Sequence, residues 1–309
     1  MPLPVPVPPP SSSPARWPGG ALDRRGDDRV ILGLIERERA LAATRVLLVR
    51  GDQAPAVGGR LFLLTVDQVT DAVEWAFLGR AADGSSLLLA IADEEGDAPA
   101  LAPTVEWARL RTIGGDLPAE EAEILGTAVA LAGWLRDAAF CPACGALAEV
   151  RHAGWSRHCP RCGREHFPRT DPAVIVLLSS ATDPDRVLLG ANAAWGGSRY
   201  SCFAGFAEAG ESLEDAVARE IFEEAGVRVS DVEYRGSQVW PYPRSLMLGF
   251  RARIVDDAEA RADGDEIVEV RWFDREQIGA ALRGEGTVQL PGTSSIARRL
   301  IDDWYGNDA

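Results

Sequence analysis

Gly205-Phe-Ala-Glu-Ala-Gly-Glu211, Ser212-Leu-Glu-Asp-Ala-Val-Ala218 and Arg219-Glu-Ile-Phe-Glu-Glu-Ala-Gly-Val227 run together as one stretch in which the chain's chemistry is densest. Its second half has the signals of a helix. Ser212 can cap the first turn with Asp215 three residues on, Leu213, Val217 and Ile221 repeat as an apolar stripe, and Gly226 supplies a C-terminal stop. At 3.6 residues per turn, Glu220, Glu223 and Glu224 cluster on one side of that helix, away from much of the stripe. Like charges four apart disfavour a helix by roughly 0.2–0.5 kcal/mol unless a cation offsets them. A divalent metal is the economical explanation, and hard carboxylate oxygens suit Mg²⁺ or Mn²⁺, ions that can in turn hold the phosphate oxygens of a substrate. Arg219 is placed to pair with Glu211 across the junction between loop and helix, which gives this pair a structural task.

The stretch matches the Nudix box, G-x5-E-x7-R-E-U-x-E-E-x-G-U with U a bulky aliphatic, at every specified position. The chain therefore resembles the Nudix hydrolases, which implies cleavage of a diphosphate linked to a second moiety. It also implies the α/β (α+β) fold class, a Nudix α/β/α sandwich whose mixed sheet carries the box as loop-helix-loop. Flanking strands are expected at Ala173–Leu178, Val187–Gly190, Val232–Trp240, Leu246–Ile254 and Val268–Phe273.

Upstream, four of the five cysteines form two C-x-x-C pairs, Cys141/Cys144 and Cys159/Cys162, each followed by a glycine, Gly145 and Gly163. Two such turns present four thiolates to one tetrahedral zinc and leave no position open for water, so the ion is structural. Strands at Val150–His152 and Trp155–Arg157 are expected between them. Arg151, Arg157, Arg161 and Arg164 keep a rival reading open, a ribbon that reads nucleic acid. Cys202 stands apart and reads as a small buried hydrophobe.

Downstream, Ser237-Gln-Val-Trp-Pro-Tyr-Pro-Arg-Ser245 and Leu290-Pro-Gly-Thr-Ser-Ser-Ile-Ala-Arg-Arg-Leu-Ile301 resemble signatures of the NADH pyrophosphatases, a Nudix family that places a four-cysteine ribbon before the catalytic domain. This resemblance implies hydrolysis of NADH or NAD⁺ to (reduced) nicotinamide mononucleotide and AMP, a homodimer, and action on the NAD cap of an RNA 5′ end. It implies Glu220, Glu223 and Glu224 as the catalytic metal-binding set, joined by the Ala204 carbonyl and by Glu266. Substrate contacts are implied for Phe167, Gln238, Val239, Trp240, Pro241, Tyr242, Pro243, Arg244, Ser245 and Ala297. Val239, Tyr242 and Phe167 depart from the usual residues of the signature, and Gly154 stands where the family can use a glutamate. The alternatives are hydrolysis of another nucleoside diphosphate derivative such as ADP-ribose, or an RNA-binding protein that senses a nucleotide without cleaving it. The intact glutamates argue against the second.

The 309 residues include 32 Lys+Arg and 47 Asp+Glu, and the net charge of −15 excludes non-specific coating of a phosphate backbone. No apolar run reaches the roughly 18 residues of a membrane span, and the start lacks the pattern of a signal peptide, so a soluble cytoplasmic protein is expected. A Pro/Ser-rich tail at 1–20 is expected to be disordered. A small N-terminal α+β domain follows at 21–138, with Arg45–Val49 and Arg60–Thr65 as apolar runs, an Asp83-Gly84 hairpin and a helix after Pro118, and it reads as scaffold or dimerisation module. The ribbon at 139–168 and the Nudix domain at 169–309 complete the division. Metal analysis of protein never exposed to chelator should find about one zinc per chain. Cysteine-to-serine variants that stay folded and keep their zinc would remove the ribbon from this account.

Overall fold

The computed structural model describes residues 22–95 and 98–306, so the tail expected at 1–20 lies outside the described residues. In the N-terminal third, β5 (Ser86–Ala92) is buried along its whole length. Its run Leu87-Leu-Leu-Ala-Ile has no polar alternation because both faces are covered, a pattern that suits a central strand. Around it lie β1 (Arg45–Val49), parallel to it, and β4 (Ala72–Arg80), antiparallel through the Asp83-Gly84 turn. The short strands β2 (Gln53–Val57), β3 (Arg60–Leu61) and β6 (Glu106–Arg109) form a second sheet, so the apolar run after Arg60 is strand for only two residues. Two short helices, α1 (Leu34–Arg39) and α2 (Leu110–Ile113), precede α3 (Ala119–Asp137), which begins directly after Pro118. Ile124, Ala128, Leu131 and Leu135 of α3 pack into one core with Leu47, Leu87 and Leu89.

The ribbon strands are β7 (Glu149–Arg151), β8 (Ser156–His158) and β9 (Glu165–His166). The first two are shifted by about one residue from the sequence expectation, because His152–Gly154 form a tight turn with Ala153 in left-handed backbone. Arg157 is not available to nucleic acid. It is 7% exposed, and its guanidinium donates to the carbonyls of Ala148, 2.9 Å, and Leu135, 2.6 Å, the latter in the last turn of α3 where a cation is favoured. Trp155 seals the same seam, donating its indole N–H to the Phe77 carbonyl at 2.7 Å. Gly154 lies against β4 with its φ at 94°, and an added Cβ would overlap Ala76 Cβ. The position that the family can give a glutamate is here a packing contact.

The C-terminal domain is built on β10 (Asp171–Ser179), β11 (Arg186–Asn192), β12 (Phe203–Phe206), β13 (Val229–Trp240), β14 (Ser245–Ile254) and β15 (Ile267–Asp274). These strands cover the five expected segments. The order is β13-β14-β10-β11-β15 with β12 beside β10, and only the β10–β14 pair is parallel, which makes the sheet mixed. Helix α4 (Leu213–Ala225) covers one face through Val217 and Ile221, while α5 (Arg275–Leu282) and α6 (Ile296–Gly306) cover the other through Ile278, Leu300 and Ile301. This is the α/β/α sandwich. Among the described residues no helix is long and apolar enough to cross a membrane.

Gly154→Ala should destabilise the protein by about 1–3 kcal/mol, since it overpacks a closed seam and strains the backbone. Gly133→Ala, whose Cβ would meet only Arg136 at 3.8 Å, should not. Denaturant midpoints that are equal for the two variants would mean that the seam between ribbon and N-terminal domain is looser than described.

Candidate active site and metal centre

Helix α4 starts where Ser212 accepts the Asp215 N–H and stops at Gly226, whose φ of 68° ends the helix. This register turns the three box glutamates to different depths. Glu224 is 5% exposed and points inward, where its Oε2 accepts the Ala204 N–H at 3.3 Å. The Glu220 side chain is 13% exposed, and that of Glu223 is 59% exposed. The three therefore form a ramp from interior to solvent, not one uniform face. Gly205 lies under Glu220, and an added Cβ there would overlap the Glu220 carboxylate. The glycine lets β12 backbone approach the acids as the loop-helix junction requires.

Burial pushes the Glu224 carboxyl up to about 8, and the nearby charges of Glu266, Glu220 and Asp263 push the same way. Burial also raises Glu220. Glu266 and Glu220 oppose the ionisation of Glu224, and Glu223 and Glu266 that of Glu220, a repulsion that a bound cation would relieve. Among the described residues only the four cysteines of the ribbon bring three or more ligand atoms within 4.8 Å of one another, so the acids would have to draw together to share one ion. Asp263 was not foreseen from sequence, because it arrives on the loop before β15, where its Oδ1 accepts the N–H groups of Asp265, Glu266 and Ile267 and so fixes Glu266. Nothing in local spacing identifies such a residue.

Arg219 holds Glu211 through two bonds of 2.8 and 2.9 Å, reaches Glu220 at 2.8 Å and donates to the Phe206 carbonyl. The Arg219 guanidinium and the Glu208 N–H hold the Glu211 carboxyl down at about 2. Glu211 thus remains ionised and closes the loop onto the helix.

Beside the acids opens a cleft of about 500 Å³, lined among others by Ala204, Glu220, Glu266, Trp240, Tyr242 and Ser245. Trp240 and Tyr242 meet edge to face, with ring centroids 5.1 Å apart. Tyr242 is gripped by the N-terminal domain: its Oη accepts the Arg111 N–H at 2.9 Å, and the Arg111 guanidinium lies 4.1 Å from the ring centroid. The Tyr242–Pro243 peptide is cis. Other residues of the loop face elsewhere. Gln238 is buried, and its amide is spent on the Ser294 carbonyl and the Ile296 N–H, each at 2.6 Å, which ties β13 to the start of α6. Arg244 pairs with Asp171 at 2.8 Å, Ala297 is packed in the α6 core, and Phe167 is exposed on the surface after the ribbon. Val239 is also exposed, at the rim of a separate cavity.

In the ribbon, the sulfurs of Cys141, Cys144, Cys159 and Cys162 all lie within 4.8 Å of one another. The Cys141–Cys162 and Cys144–Cys159 distances of 3.7 and 3.5 Å match the roughly 3.8 Å edge of a tetrahedron with zinc–sulfur bonds of about 2.3 Å. Gly145 and Gly163, at φ 72° and 73°, turn the knuckles. The Cys162 N–H holds the Cys159 thiol below its ordinary value, which favours the thiolate. His166 Nε2 stands 3.1 Å from Cys141 Sγ. The donor set fits one structural zinc.

Three family models match the chain in succession: an NADH pyrophosphatase-like rudimentary NUDIX domain at 7–134, an NADH pyrophosphatase zinc ribbon domain at 136–167 and a NUDIX domain at 169–290. The first was not legible in the sequence, since the N-terminal half carries no glutamate box. The chain is similar to the NAD-capped RNA hydrolase NudC of Mycobacterium tuberculosis, 39% identical over 305 residues that cover 94% of this chain and 87% of the relative. A Pseudomonas aeruginosa protein of the same name is 40% identical over 208 residues, covering 67% of this chain and 69% of its own. A NUDIX hydrolase structure from Nitrosomonas europaea aligns at 26% identity with a TM-score of 0.35, covering 49% of this chain and 96% of that one. With a relative so similar over nearly its whole length, the chain belongs to the Nudix hydrolases, in the NADH pyrophosphatase family that carries a zinc ribbon.

Proposed function

We propose that the protein hydrolyses the pyrophosphate bond of NADH and NAD⁺ to (reduced) nicotinamide mononucleotide and AMP, and removes the NAD cap from RNA 5′ ends to leave a monophosphorylated RNA. The observation that carries this reading is buried Glu224, repelled by Glu220 and Glu266, two acids that line a cleft walled by Trp240 and Tyr242. In this reading Glu220, Glu223, Glu224, Glu266 and the Ala204 carbonyl hold Mg²⁺ or Mn²⁺. When bound, the cation supplies Lewis acidity toward phosphate oxygens and toward water.

The chain's own residues do the rest. Trp240 offers a ring on which a base can stack, and Tyr242, immobilised by Arg111, braces that ring edge to face. Arg219 keeps the box loop in place, and Asp263 aims Glu266 into the cleft. Pro241 and Pro243 restrict the loop between β13 and β14, so that the rings are held before substrate arrives. The homodimer implied by the family resemblance belongs to the same proposal. Intact, buried Glu224 speaks for catalysis over nucleotide sensing, because a sensor has no need for an acid that costs stability when ionised without a cation.

Mass spectrometry of products from NADH, NAD⁺, ADP-ribose and NAD-capped RNA, with Mg²⁺ or Mn²⁺, tests the reading. Nicotinamide mononucleotide and AMP are expected from the dinucleotides, and cleavage of ADP-ribose alone would overturn the substrate assignment. Glu224→Gln keeps shape but removes charge, so turnover should fall by orders of magnitude while the metal-free protein melts no lower than wild type. A near-normal rate in Glu224→Gln would put the metal site elsewhere.

The raised carboxyl also sets a pH dependence. Below about 4.5 Glu224 is protonated in folded and unfolded chains alike. Between there and about 8 the folded, metal-free protein holds a proton that the unfolded chain has released, so its stability falls as pH rises. A cation must displace that proton, so Mn²⁺ affinity should climb by up to about tenfold per pH unit from roughly 6 to 8 and then level. Calorimetric titrations with Mn²⁺ across this range check it; an affinity that is flat with pH, or a slope kept in Glu224→Gln, would contradict it.

A further inference from the structure

Between the N-terminal and Nudix domains lies a second cavity, of about 270 Å³. One wall is α3, presenting Glu123, Gly126 and Thr127; the other is β13 and the start of β14, presenting Ser237, Trp240 and Leu246. Trp240 lines both this cavity and the catalytic cleft.

The geometry points to this interdomain cavity as the seat of one nucleobase of the dinucleotide, with the N-terminal domain supplying half of the substrate site. The inference rests on the NADH reading above. A dinucleotide carries a base on each side of its pyrophosphate, and binding pockets commonly run to about 300–1,000 Å³ and favour domain interfaces. The cleft of about 500 Å³ must hold the phosphates and the metal together with one base, for which it presents Phe206 beside the edge-to-face pair Trp240 and Tyr242. A second compartment beyond Trp240 accommodates what the cleft leaves over. Its chemistry suits a base, since Leu110 and Leu246 offer apolar walls while the Thr127 and Ser237 hydroxyls offer hydrogen bonds to a ring edge. Arg24 bonds both Glu123 and Thr127 at 3.2 Å, which fixes the polar corner.

Gly126 is the informative residue. It sits mid-helix, where glycine is destabilising relative to alanine, with ordinary helical backbone and no close neighbour that demands it. An added Cβ would meet only Leu110 Cδ2, at 4.0 Å. The missing side chain leaves space that a larger residue would fill.

Gly126→Leu in the full-length protein plugs the cavity without touching the metal ligands, and Gly126→Ala is its control. If a base enters, KM for NADH in Gly126→Leu should rise by about 5- to 150-fold, the worth of one stacked base, with kcat nearly kept and the melting temperature not lowered. Product inhibition identifies the base: the variant should lose inhibition by either AMP or nicotinamide mononucleotide and keep the other. An unchanged KM with wild-type inhibition by both products would overturn the proposal. So would a changed oligomeric state on gel filtration, since the cavity would then belong to contact between copies. If wild type itself does not cleave NADH, the underlying reading fails and not this inference about the cavity alone.

Discussion

A carboxylate taken out of water needs a positive charge or a proton, and Glu224 is buried beside Glu266 and Glu220, whose charges oppose its ionisation. Much of the Nudix domain can be understood as what it takes to hold that carboxylate in place. Helix α4 anchors on one face of the sheet through Val217 and Ile221, so its neighbour at 224 has no freedom to swing out. Gly205 lets β12 pass beneath Glu220, and Asp263 carries Glu266 in from the far edge. Arg219 is committed to Glu211 and to the rim acids Glu220 and Glu223. The interior acid therefore keeps its demand for a metal, and the rim is already partly neutralised.

The second organising feature is that the catalytic loop is not self-supporting. Tyr242 packs into the N-terminal core, takes a hydrogen bond from Arg111 and lies under its guanidinium. Ser294 returns a hydrogen bond to the Arg111 carbonyl, and the Gln238 amide then ties Ser294 and Ile296 to β13. One closed circuit thus joins the N-terminal domain, the substrate loop and the start of α6. The ribbon completes the frame from the other side, because Arg157 and Trp155 bolt it to α3 and to β4. The N-terminal half therefore braces the substrate loop directly, through Arg111 on Tyr242.

Local rules made several features readable before any coordinates. The Nudix box, the four-cysteine spacing, the cap and stop of α4, the central strands and the helix after Pro118 depend on residues within one or two turns of each other, where periodicity and side-chain chemistry act directly. The same rules slipped at the ribbon hairpin, where the turn at His152–Gly154 moved the strands by a residue. They also misjudged Arg157, whose charge suggested solvent although its length lets it reach two buried carbonyls.

What the order of amino acids could carry was the kind of chemistry: carboxylates at helical spacing, thiolates in pairs, rings between prolines. What it could not carry was depth and partnership across the fold. The helix rotation that buries Glu224 while leaving Glu223 in solvent, the arrival of Asp263 beside it, and the meeting of Arg111 with Tyr242 over 131 positions of sequence all depend on how distant segments pack. Burial and long-range contact arise from the whole chain at once, and no window of neighbouring residues contains them.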